Sequence, residues 1–119
     1  MVRKPQFHNQ QCPPELSIID TISGKWTVIV VHILSSKTMR HSELQRAVGG
    51  ISQKVLTQTL RNLERNGIVA RRVYPVVPPQ VEYSLTPLGK SLVKILDNVC
   101  LWAKEYYKAV EKARKNYDK

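Results

Sequence analysis

Apolar residues recur along this chain at helical spacing first and at strand spacing later. From Trp26 to Leu34 the stripe is Trp26, Ile29, Val30, Ile33 and Leu34, the i, i+3, i+4, i+7, i+8 pattern of a buried helix face. Upstream, Leu16, Ile19 and Ile22 supply a shorter apolar face. Pro13 and Pro14 suit the first turn of that helix, and Glu15 is favourable near its positive end. Ser23-Gly24 separates the two helices. A short helix from about Ser42 to Val48 is expected to turn Leu44, Ala47 and Val48 inward. Gly49-Gly50 then permits a sharp reversal, because glycine accepts positive φ. Ser52 predicts the N-cap of the next helix, whose apolar face is Val55, Leu56, Leu60 and Leu63. That helix ends at Asn66-Gly67, with Gly67 left-handed and Ile68 packing back on Leu63.

Past Gly67 the rhythm changes. Val69 to Tyr74 and Val81 to Leu85 are rich in β-branched and aromatic residues and read as two strands of a hairpin. The three prolines between them, Pro75, Pro78 and Pro79, stiffen the loop and remove backbone donors. Thr86-Pro87 supplies an N-cap followed by proline at the first helical position. A long last helix follows to about Lys115. Its stripe is Leu88, Leu92, Ile95, Leu96, Val99, Trp102, Tyr106 and Val110. The first half is expected in the core. The second half outruns a small domain, so Val99, Trp102, Tyr106 and Val110 are expected in a two-fold interface. Helix, tight turn, helix and hairpin predict a mainly α winged helix-turn-helix with a two-stranded wing and a long C-terminal dimerisation helix. Residues 1–11 read as a flexible basic arm, 12–111 as the one domain, and 112–119 as a solvated basic tail.

Charge narrows the partner. Among 119 residues, 19 are Lys or Arg and 9 are Asp or Glu, a formal net charge of +10. Such an excess calls for a polyanion, with duplex DNA the first choice and a membrane surface the rival. The N-terminal residues lack the apolar core of a signal peptide, and the longest apolar run falls far short of the roughly 20 residues that span a bilayer. A soluble, cytoplasmic protein with no membrane partner is therefore expected. Cys12 and Cys100 have no zinc spacing and form no disulfide framework. His8, His32 and His41 lack ligand spacing, and His32 is expected to be structural. With no nucleophile–base pair, metal cluster or phosphate loop in the pattern, neither catalysis nor a cofactor is expected.

The helix after the glycine turn carries the candidate chemistry. Opposite its apolar face lie Ser52, Gln53, Lys54, Thr57, Gln58 and Arg61. Gln can pair with adenine edges, Arg or Lys with guanine, and Thr with a thymine methyl. Ser52 and the helix N-terminus can hold a phosphate. The plain alternative is a solvated polar face; turn, wing and charge together favour DNA. On the wing, Arg72 is assigned to DNA, whereas Arg71 is either a DNA contact or the ion-pair partner of Glu82 across the hairpin. The uncharged tip, Val76 to Gln80, argues against deep minor-groove insertion, and Arg40 is a further candidate contact. Two other readings use the same elements: a non-specific architectural DNA binder, and a winged-helix protein-interaction module with an apolar recognition face.

Several separated motifs stand in one order: Cys12-Pro13, Gly24-Lys25-Trp26, Arg40 with Glu43-Leu44, Gly50 through Thr57, Leu60-Arg61 with Leu63-Glu64 and Gly67, Val77-Pro78-Pro79, Val81 through Thr86, and Gly89. From Cys12 to about Leu96 the chain thereby resembles the HxlR family of winged-helix regulators, relatives of the MarR group. The resemblance implies a homodimeric transcriptional regulator on an operator of inverted half-sites; a repressor is favoured because occupying a promoter is mechanically simple. His41 departs from the family's usual Phe, which puts local packing in question. The resemblance also bears on Cys12, since several members sense oxidants or electrophiles through a cysteine just before the first helix. A thiol at a helix N-terminus beside Arg3 and Lys4 favours its thiolate. A packing role alone is the alternative. Cys100, within the last apolar stripe, is expected to be buried and inert.

Overall fold

A break in backbone direction at Gly24 sets the geometry of the N-terminal half. The computed structural model describes residues 14–119, so the basic arm and Cys12 lie outside the described residues. A 3-10 turn at Pro14–Leu16 leads into α1 (Ser17–Ile22), and extended Gly24 then starts α2 (Lys25–Leu34). The two helical segments meet at 78°. Val30 and Leu34 of the α2 stripe are buried at the centre of the domain together with Val31 and Thr27, which the stripe did not include, while Ile29 and Ile33 are half-buried. Trp26 is half-buried against this core.

β1 (Met39–Arg40), α3 (His41–Val48), α4 (Gln53–Arg65), β2 (Val69–Tyr74), β3 (Gln80–Leu85) and α5 (Pro87–Tyr117) complete the order. The sheet is antiparallel, in the order β1-β3-β2. The expected two-stranded wing thus rests on a third strand, with Met39 paired to Tyr83 and Arg40 to Glu82. Leu44, Leu56, Leu60, Leu63 and Val69 fill the space between α2, the glycine turn and the sheet. Each such fully buried aliphatic side chain stabilises the fold by about 1.5–3 kcal/mol relative to exposure.

Two inward expectations fail in α3 and α4. Val55 is 39% exposed. It lies about 100° around the helix from Leu56, off the stripe that Leu56, Leu60 and Leu63 define. Ala47 is also exposed, because α3 has eight residues and only Leu44 at its centre is enclosed.

The two ends of the wing are tied by caps. Gly67 has φ +74°, its N–H donates to Glu64 O (3.0 Å), and Ile68 N–H donates to Leu63 O (2.9 Å). This paired closure satisfies the last carbonyls of α4 and drops Ile68 into the core. At the other end, Thr86 Oγ1 accepts from Gly89 N–H at 3.0 Å to cap α5. The Thr86 hydroxyl donates to Gly67 O at 2.5 Å, and Thr86 N–H donates to Ile68 O at 3.1 Å. Gly89 is buried so close to that carbonyl that a Cβ there would lie 2.1 Å from the oxygen.

α5 has 31 residues, about 46 Å at 1.5 Å per residue. Only part of its first half reaches the core: Leu96 is buried and Leu92 and Val93 are half-buried, but Leu88 and Ile95 are exposed. A groove lined by Val28, Ile29 and His32 of α2 and by Asp97, Cys100, Leu101 and Lys104 of α5 stays open between the two helices. Cys100 is consequently exposed, contrary to the expectation that it is buried and inert. His32 Nδ1 lies 3.0 Å from Asp97 Oδ1, which joins α2 to α5 at the surface. Helix continues through much of the basic tail to Tyr117. Among the described residues no single helix is long and apolar enough to cross a membrane.

Candidate nucleic-acid interface

The turn between α3 and α4 fixes the polar face. Gly49 and Gly50 take φ +69° and +70°, conformations that a residue with a Cβ rarely adopts. Ile51 is buried beneath the turn, and Gln45 Nε2 donates to its carbonyl at 3.3 Å. Ser52 Oγ accepts from Val55 N–H at 3.1 Å, the expected cap. With Leu56, Leu60 and Leu63 turned inward, Gln53, Lys54, Thr57, Gln58 and Arg61 line one shallow open surface. All are exposed except half-buried Thr57. Arg61 makes no ion pair within 4 Å among the described residues. The sequence-derived reading set therefore converges on one side of one helix, with Ser52 at its N-terminal end.

Thr57 is held in a way that sequence spacing did not reveal. His41 Nε2 lies 3.1 Å from Thr57 Oγ1, a hydrogen bond across 16 residues. The imidazole is tilted against Tyr83, with ring centroids 6.5 Å apart. His41 thus occupies the junction of α3, α4 and β3 and supplies a polar bond from a packing position. The one signal in the sequence was a histidine where the resemblance expects a phenylalanine.

Arg71 and Arg72 point to opposite faces of the wing, as the period of two requires. Arg71 is paired in register with Tyr83, and its Nε lies 3.5 Å from Glu64 Oε2 on α4. Its ion-pair partner is therefore the helix end, not Glu82 as one reading of the sequence expected. Being exposed, the pair contributes at most about 1 kcal/mol. Burial pushes the Tyr83 phenol pKa up, with Arg71 and Arg61 acting in the other direction.

On the other face, Glu82 stands in register between Arg40 and Arg72. Its Oε2 accepts from Tyr74 Oη at 2.9 Å, and this bond leads the causes that raise the Tyr74 pKa. The Arg72 guanidinium lies 4.8 Å from the Tyr74 ring centroid, in cation–π contact. Tyr74, rather than an arginine, holds the Glu82 carboxylate. At the tip, Val76 and Val77 are exposed and uncharged, and the Val77–Pro78 bond is cis.

The proposed interface residues on α5 are largely uncovered in the single chain. Val99, Trp102 and Tyr106 are each about half exposed, and Val110 is half-buried. The rings of Trp102 and Tyr106 pack at 5.5 Å, a hydrophobic platform on the outer half of the helix.

Comparison with known proteins agrees with this geometry. The family model described as HxlR-like helix-turn-helix matches residues 21–111. The HTH-type transcriptional regulator YkvN of Bacillus subtilis is 46% identical over 99 residues, covering 83% of each chain. Among solved structures, the putative transcriptional regulator ytfH of Salmonella typhimurium superposes with a TM-score of 0.77 at 37% identity, over 86% of this chain and 91% of that one. The redox regulator HypR in its reduced form gives 0.75 at 38% identity, over 83% and 98%.

Proposed function

This chain belongs to the HxlR-like helix-turn-helix family and is a transcriptional regulator of that type, and on this footing we propose that it binds one duplex operator sequence-specifically as a homodimer. One observation carries the reading: Gln53, Lys54, Thr57, Gln58 and Arg61 share a single open surface on a helix whose opposite face is the core. A major-groove reader needs this division, with donors and acceptors outward and aliphatic side chains behind them. Ser52 and the first turn of α4 meet a phosphate. Arg71, on the α4 side of the wing, extends the basic surface. Arg72 and Arg40 lie on the far face and reach flanking backbone. A protein-interaction module would instead present an apolar recognition face, and this one is polar.

The uncovered α5 face supports pairing of two copies through Val99, Trp102, Tyr106 and Val110. A two-fold dimer spaces its reading helices by about 34 Å or a multiple, so the operator is an inverted repeat. Repression by occupying a promoter, in the cytoplasm, is the simplest mode of action. Likeness to the redox regulator HypR supports redox control, for which Cys12 is the candidate thiol.

Selection from random duplex DNA tests this. An enriched inverted repeat is expected, and Arg61→Ala should bind it about 5- to 150-fold more weakly, the loss of one base contact of about 1–3 kcal/mol. Tight low-salt binding without an enriched sequence would replace the reading with an architectural one.

A further inference from the structure

Thr57 carries two groups beyond Cβ, a hydroxyl and a methyl, and the fold treats them differently. A threonine inside a helix ordinarily returns its hydroxyl to the carbonyl one turn back. Thr59, on the same helix, does so, with Oγ1 donating to Val55 O at 2.8 Å. Thr57 does not: its hydroxyl meets His41 Nε2 at 3.1 Å, while its side chain still lines the open surface with Gln53, Lys54, Gln58 and Arg61. Staggering about Cβ then separates the methyl from the hydroxyl by about 120°.

Resting on the DNA-reading assignment of α4, we propose that His41 is a positioning residue for base recognition. By holding the Thr57 hydroxyl at the α3–α4 junction, it turns the Thr57 methyl outward to meet the C5 methyl of a thymine in each half-site. A free hydroxyl would be permissive, because it can donate to or accept from several base edges in the major groove. A fixed methyl selects thymine over cytosine, which has no C5 methyl. Tyr83, tilted against the imidazole, keeps the ring in place from β3.

The probe is deoxyuridine, which removes the thymine methyl and nothing else. Each thymine of the selected operator is replaced singly, and binding of the full-length protein is followed by fluorescence anisotropy. One thymine per half-site should lose about fourfold in affinity on replacement, the equivalent of one buried methyl. Thr57→Ser keeps the bond to His41 and drops the methyl, so this sensitivity should vanish. His41→Phe should abolish it as well, and His41→Gln, which can again reach the hydroxyl, should restore it. Operator binding by the wild type with no uracil-sensitive thymine would overturn the proposal alone. So would sensitivity that survives Thr57→Ser. Failure of the wild type to prefer any sequence would instead overturn the DNA-reading assignment itself.

Discussion

Gly89→Ala offers a sharp test of how the wing is joined to the last helix, because two general rules give it opposite signs. Within a helix, alanine is favoured over glycine by up to about 1 kcal/mol. Here the new Cβ would lie 2.1 Å from Ile68 O and 3.1 Å from Ile68 C, both backbone atoms that no rotamer change can move. Overpacking of this kind costs about 1–3 kcal/mol. The same carbonyl accepts from Thr86 N–H at 3.1 Å, so displacing it also weakens a bond with a net value of about 1 kcal/mol. Destabilisation therefore wins by about 1–3 kcal/mol. Urea unfolding at a fixed protein concentration, since pairing of copies would make the midpoint concentration-dependent, is the assay. The midpoint should fall by about 1 M with an unchanged slope. A midpoint equal to or above that of the wild type would refute the close approach of α5 to the wing.

Other expectations concern pairing and control. Trp102→Glu places a charge on the apolar platform of α5; sedimentation should shift toward the monomer and operator affinity should fall at least about tenfold, whereas an unchanged dimer would place the interface elsewhere. Cys12→Ser should abolish any loss of operator binding on treatment with diamide or a quinone. A response that persists in Cys12→Ser and disappears in Cys100→Ser would assign the chemistry to the exposed thiol on α5.

Features governed by neighbours in sequence were the legible ones. The Ser52 cap, the paired glycines and the Gly67 closure each depend on residues within about six positions, and all formed as read. The side of α4 left for DNA followed from the placement of Leu56, Leu60 and Leu63. What escaped depends on distant partners. β1 has two residues, too few to display a period of two, and is defined by its pairing with β3. One of the two readings of Arg71 paired it with Glu82 on the opposite strand, but strand alternation aims it at Glu64 on α4. The bond from His41 to Thr57 crosses a turn whose exact path no spacing rule supplies. Cys100 misled because an apolar stripe shows that a face will be covered without showing by what. In the single chain the groove between α2 and that part of α5 stays open, with Val28, Ile29 and His32 on its other wall.

The bond from Thr86 N–H to Ile68 O has a mechanical meaning. It bolts the base of the hairpin to the first turn of a rod about 46 Å long, with no hinge residue between them. A rod so mounted transmits angle as displacement: a tilt of about 5° at its outer end sweeps the wing through about 4 Å over that length. Distances of that size separate a dimer in register with successive grooves from one out of register. Under the proposed pairing of two copies through α5, chemistry that alters how they meet is therefore felt at the operator without touching α4.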